Sequence, residues 1–272
     1  MKRALTYISF VDILFLLLLA LSGYITGAPG ELAYFLAFLI PIGAYCIYLK
    51  LGYSEAAPLK LVLSGKDTAE ISLFLFPTLA IIFFISWITS LILSLIAMPP
   101  ATDVSGNIFK AVFFHAVLPA ILEEFLFRYF PLRLLSPYGK RNAVMISALV
   151  FGFIHGNAFQ IPYAVLAGVL FALLDCAYES LLPSLALHFL NNLISVVWMR
   201  NASSGMFAGI FVIILATGAV ISLIYLFVGK NRLLKKVISP LKDKCKVEFT
   251  YLFFILMAML VCATVLNTAM LF

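Results

Sequence analysis

Residues 120–128 read AILEEFLFR, two adjacent carboxylates and an arginine set into a run that is otherwise apolar. Ionisable groups in hydrocarbon are costly and persist where they pair with one another or line a functional cavity. Similar interruptions recur at His155, which closes FGFIH (residues 151–155), and at His188 and Asn192 in HFLNN (188–192). The surroundings of these groups decide the fold. Of the 272 residues, 64% are hydrophobic, 15% aromatic and 11% charged, whereas a soluble domain carries about 25% charged residues. The chain is therefore expected to be an integral membrane protein. Several segments supply the roughly 20 apolar residues that a crossing helix needs. Period-two alternation with turns is absent, so helices rather than a barrel must satisfy the backbone. The expected architecture is an all-α, polytopic bundle of about eight or nine transmembrane helices, forming a single transmembrane domain over residues 1–272.

The spans are expected near 4–27, 31–50, 71–98, 108–135, 142–159, 161–179, 182–199, 206–228 and 249–271. The first follows Lys2 and Arg3, but its apolar run exceeds the 7 to 15 residues of a signal-peptide core and no A-x-A site follows, so it reads as a retained span. With the N-terminus inside, every basic residue except Lys110, Arg200 and the intramembrane Arg128 falls in an inner connection, a strong positive-inside bias. The N-terminus is thus expected to be cytoplasmic. The net charge of +6 belongs to this topology rather than to nucleic acid, because no binding motif or aromatic interleaving surrounds the basic residues. AAPLKLVLSG (56–65) reads as an interfacial stretch. KNRLLKKVISPLKDKCK (230–246) reads as a solvated loop attracted to anionic lipid. Cys46, Cys176, Cys245 and Cys262 are scattered and specify neither disulfide nor metal.

Glu124 and Arg128 are four residues apart and share a helical face, whereas Glu123 is rotated by about 100°. Pairing makes Glu124 a brace and leaves Glu123 to face a cavity. His155 and His188 stand in apolar segments separated by one span, each four residues from a helical-face partner, Phe151 and Asn192. His115 reads as an ordinary core histidine. At 1.5 Å per residue, Glu123 lies about 18 Å from the inner end of its helix, but His188 only about 9 Å from Leu182, so tilt or a deeper helix start must bring them level. If they converge, Glu123, sharing the proton with His155, can deprotonate a water, and His188 with the Asn192 amide can donate to an oxyanion. This is peptide hydrolysis without a nucleophilic side chain, and no GxSxG or S-x-x-K motif points elsewhere. Zinc held by Glu123, His155 and His188 is the alternative, though HExxH is absent. The expected cofactor is none.

On these residues the chain resembles the CAAX prenyl endopeptidase and bacteriocin-processing family, also called type II CAAX proteases or the abortive-infection family. EEFLFR matches its EExxxR, FGFIH its FxxxH, and HFLNN its third motif, in order, which places a catalytic core at about 108–199. The resemblance implies an intramembrane glutamate endopeptidase in which Glu123 and His155 activate water, His188 and Asn192 form the oxyanion hole, and Glu124 with Arg128 is a supporting pair. The expected partners are the bilayer and a membrane-associated peptide or protein, lipidated or not. Only 33 residues separate His155 from His188, which argues for a compact prokaryotic member acting on a membrane peptide or C-terminal sorting signal rather than on a prenylated protein. Two other classes compete. A proton-coupled transporter should show broken helices in matching halves, which are not evident. An inactive peptide-binding scaffold or immunity protein should have lost a catalytic group, and none is lost.

Overall fold

The computed structural model describes the chain except residues 27–30, 53–56, 98–103, 105, 202–203, 230, 244–245, 247 and 270–272, and the side chains of 23–33. The described residues form an all-α bundle. In chain order the helices are α1 (Lys2–Thr26), α2 (Glu31–Lys50), α3 (Gly65–Leu93), α4 (108–135), α5 (Lys140–Phe153), α6 (Ile161–Tyr178), α7 (Leu182–Asn201), α8 (Gly205–Ile224), the short α9 (Asn231–Ile238) and α10 (Tyr251–Ala269). Among the described residues six helical segments, those of α1, α3, α6, α7, α8 and α10, are long and apolar enough to cross a membrane. The other expected spans are α2, α4 and α5. With 14 residues, α5 rises about 21 Å, short of the roughly 30 Å of hydrocarbon.

Three local features differ from the sequence expectation. The third span begins at Gly65, not 71, where the Ser64 hydroxyl caps the helix by accepting the Asp67 amide at 3.1 Å and also donates to the Asp67 carboxylate at 2.7 Å. The stretch before it, read as interfacial, is non-helical over its described residues 57–64. Lys60 is extended and pairs with the turn between α6 and α7, accepting the Leu181 amide at 3.0 Å and donating to the Glu179 carbonyl at 2.9 Å. The basic block is also not simply a solvated loop. Within it, α9 buries Leu233 and Val237, one turn apart, against the bundle, while the ammonium of Lys236 lies 3.6 Å from the Tyr178 ring centre and 3.6 Å from Glu70. Cys245 lies outside the described residues, and Cys46, Cys176 and Cys262 are free thiols.

The packing that positions the polar groups centres on α4, α5 and α6. A Cβ on Gly168 would come within 2.9 Å of the Ala148 backbone, and one on Gly152 within 2.9 Å of the Val165 backbone nitrogen. Glycine at both positions lets α5 and α6 approach backbone to backbone, as small residues do where helices pack in membranes. Along α4 the helix widens into π turns at Phe113–Val117 and Phe125–Tyr129, features that recur at functional sites. Pro131 has no N–H to offer the Phe127 carbonyl four residues back. The Ser147 hydroxyl of α5 donates to that carbonyl instead, at 2.6 Å.

Candidate active site

From that serine a chain of hydrogen bonds runs through the interior. Arg128, fully buried, donates to Ser147 Oγ at 3.1 Å, to the Gly168 carbonyl at 3.0 Å and, through Nε, to Glu124 Oε2 at 3.1 Å. Its guanidinium also lies over the Phe151 ring, 4.9 Å from the centre. Glu124 and Arg128, expected to pair, are in contact, and Glu124 is likewise fully buried.

Glu124 does more than the sequence suggested. Its second oxygen, Oε1, accepts from His188 Nδ1 at 2.8 Å. One carboxylate thus ties Arg128 to His188 and fixes the imidazole so that Nε2 points the other way, 3.8 Å from Glu123 Oε2. The level difference expected between His188 and Glu123 is closed. A carboxylate only accepts, so the proton of this contact is on Nδ1, and a ring that is also protonated at Nε2 can donate from that side. The helix bearing His188 is itself anchored by a residue the sequence reading missed. Asp175 at the end of α6, fully buried, accepts the Ser184 amide in the first turn of α7 at 3.1 Å.

His155 is not on the helix face expected for it. α5 ends at Phe153, and His155 occupies the following turn, closed by Gly156 with φ +58°. Asn267 of α10 donates to the Gly156 carbonyl at 3.0 Å and holds that turn. His155 Nδ1 lies 2.8 Å from the Phe151 carbonyl. Since a carbonyl only accepts, Nδ1 carries the proton, which in a neutral ring makes Nε2 the acceptor. The phenylalanine of FGFIH gains a physical role here. Phe151 meets the rings of His155 and His188 edge-on, with centres 5.2 and 5.5 Å apart, and lies under the Arg128 guanidinium.

Glu123, His155, His188 and Asn192 line one cavity of about 450 Å³, sharing its wall with Tyr34 and Asn191 among others. Glu123 Oε1 accepts from the Tyr34 hydroxyl at 3.1 Å, while its Oε2 is buried and has no hydrogen-bond partner among the described residues. Asn191 donates its amide to Asn192 Oδ1 at 3.3 Å, which leaves the Asn192 NH₂ as that side chain's remaining polar group. His115 also reaches this wall rather than an ordinary core position. Ser195 lines the cavity too, but its hydroxyl donates to the Asn191 carbonyl at 2.9 Å. Among the described residues no three His, Cys, Asp or Glu side chains are grouped so as to hold a metal ion. Tyr34 and Asn191 carried no sequence signal that separates them from the tyrosines and polar residues common in membrane helices. Asp175, an acid in the apolar run LLDCAY, did carry one.

Residues 105–194 match the family described as type II CAAX prenyl endopeptidase Rce1-like, a segment of about a third of the chain that contains all three motifs. No curated protein and no solved structure matches the chain.

Proposed function

Taking residues 105–194 as a domain of the type II CAAX prenyl endopeptidase family, a family of proteases, we propose that this integral membrane protein is an intramembrane endopeptidase whose water is activated by Glu123. The observation that carries this reading is the free oxygen of Glu123. A buried carboxylate oxygen without a partner, 3.8 Å from an imidazole nitrogen on the wall of a cavity, is where a water or substrate belongs.

The steps balance without a cofactor. Glu123 takes a proton from a water held in the cavity, and His155 Nε2, the free acceptor, shares that task. The hydroxide adds to the scissile carbonyl carbon, and the negative charge passes to its oxygen. His188 Nε2–H and the Asn192 amide donate to that oxyanion. Protonated Glu123 then gives its proton to the departing amide nitrogen, the C–N bond breaks, and a carboxylic acid and an amine leave. Glu124 keeps His188 charged and aimed, and Arg128 keeps Glu124 ionised. Ser195 is not the nucleophile in this scheme, because its proton is committed to a backbone carbonyl.

The proposed substrate is a membrane-associated peptide or protein cleaved near its C-terminus, reached from a bilayer in which the N-terminus of the enzyme is cytoplasmic. Proteomics of membrane-protein C-termini tests this, comparing cells that carry the intact chain with cells that carry Glu123→Ala. Shortened termini that appear only with the intact chain, and that purified protein in liposomes reproduces on the matching peptide, support the reading. Identical termini in both cells, with no cleavage in liposomes, leave a peptide-binding scaffold and overturn it.

A further inference from the structure

We infer that Tyr34 is a positioning residue for Glu123, supplied to the site by the N-terminal hairpin of α1 and α2, outside the segment that matches the family. The inference rests on the proposed role of Glu123 as base. The contact spans 89 residues of sequence: the Tyr34 hydroxyl lies 3.1 Å from Glu123 Oε1. An ionised carboxylate only accepts, so the phenol is the donor. A carboxylate at the end of a flexible glutamate side chain can rotate and exchange its oxygens. A donor fixed on Oε1 stops that rotation and leaves Oε2 as the oxygen that faces His188 Nε2.

The donor is itself held. One turn along α2, Phe38 meets the Tyr34 ring edge-on at 5.0 Å, and Phe38 is in turn packed on Phe15 of α1 at 4.6 Å and on Phe127 of α4 at 6.1 Å. Phe15 and Phe127 close the triangle at 5.4 Å. All three phenylalanines are buried, and Phe127 lies between Glu124 and Arg128 in the sequence. The aromatic triangle thus couples the hairpin to the part of α4 that carries the carboxylates, and Tyr34 stands on the coupled end. A phenol that merely satisfied a buried acid would need neither this support nor a place on the cavity wall.

Tyr34→Phe keeps the ring and its packing and removes only the donor. Two readouts test it. In deuterated buffer the infrared carboxylate bands of Glu123 are identified by their loss in Glu123→Gln. They are expected to shift in Tyr34→Phe and to stay in place in Tyr251→Phe, a remote exposed control. On a cleaved peptide, Tyr34→Phe is expected to lower kcat about 10- to 100-fold with KM little changed, the loss characteristic of a misplaced catalytic group. Unshifted carboxylate bands, or a kcat equal to that of the unmodified protein, overturn the inference. Shifted bands in a protein that cleaves nothing uphold the placement of Glu123 by Tyr34 and count against the peptidase reading. Unshifted bands in an active peptidase do the reverse.

Discussion

Removing Arg128 separates stability from catalysis more sharply than any other single perturbation. In Arg128→Ala the buried Glu124 loses its guanidinium partner, the Gly168 carbonyl loses a donor and a space opens over the Phe151 ring. Breaking a buried pair by deleting one member costs about 3 to 5 kcal/mol. By the scaling of soluble proteins this is a fall of roughly 10 °C in melting temperature. Replacing both partners tells a different story. In the double variant Glu124→Gln, Arg128→Met no charge is left unpaired, and such replacements are often neutral in stability. Most of the melting temperature should therefore return. Activity should not, because glutamine cannot hold His188 as an imidazolium, and loss of one oxyanion donor costs about 10²- to 10³-fold in kcat. Differential scanning fluorimetry in detergent and turnover in liposomes measure the two quantities on the same preparations. Unaltered melting of Arg128→Ala refutes the brace. A double variant that is both stable and fully active refutes the claim that Glu124 sets the charge and aim of His188.

Other expectations follow from the cavity wall. Glu123→Gln, nearly isosteric, should remove turnover by about 10²- to 10⁴-fold; a purified variant cleaving at the original rate would sink the assignment of the base. Asn192→Ala should lower kcat by about 10²- to 10³-fold with KM nearly unchanged. If KM rises instead and kcat holds, Asn192 binds substrate and the oxyanion hole lies elsewhere. Hydrolysis should persist in protein treated with chelator and should not track metal content by inductively coupled plasma mass spectrometry. Stoichiometric zinc whose removal abolishes turnover, and whose return restores it, would replace water activation by Glu123 with activation by the metal.

The parts of this site that were legible in the sequence are those whose cost in a membrane makes them rare. Glu123, Glu124, Arg128, His155 and His188 stand out because the runs around them are otherwise apolar, and helical spacing alone pairs Glu124 with Arg128, which lie 3.1 Å apart. The limits of most long helices were legible for the same reason, since they follow the apolar runs, but α3 begins at a polar cap six residues before its expected start and α5 ends at Phe153, six residues before its expected end. What stayed hidden depends on hydrogen bonds whose partners are remote in sequence. Nothing in AILEEFLFR says that the second oxygen of Glu124 reaches a histidine 64 residues on. Tyr34 is one tyrosine among twelve, in a setting where aromatic residues are ordinary. The placement of His155 in a turn, rather than on a helix, depends on where Gly156 adopts a positive φ and on Asn267 from the last helix.

The adjacency of the two glutamates has a physical reason that neither residue explains alone. A base must keep an oxygen open, which in an apolar interior leaves a polar group unsatisfied and is tolerated only where the surroundings are rigid. Glu124 provides that rigidity from the next position in the chain. Both its oxygens are engaged, by Arg128 and by His188, and Arg128 is tied to α5 and α6 through Ser147 and Gly168. The backbone beneath Glu123 is thereby fixed to three helices while its own Oε2 remains free. Exchanging the two roles is not open to this geometry. Glu124 faces the interior with no exposed side-chain surface, whereas Glu123, one residue and about 100° away, faces the cavity. In the proposed mechanism, adjacent carboxylates on one helix serve as brace and base because their faces differ, and the pairing with Arg128, four residues on, assigns Glu124 to the first role.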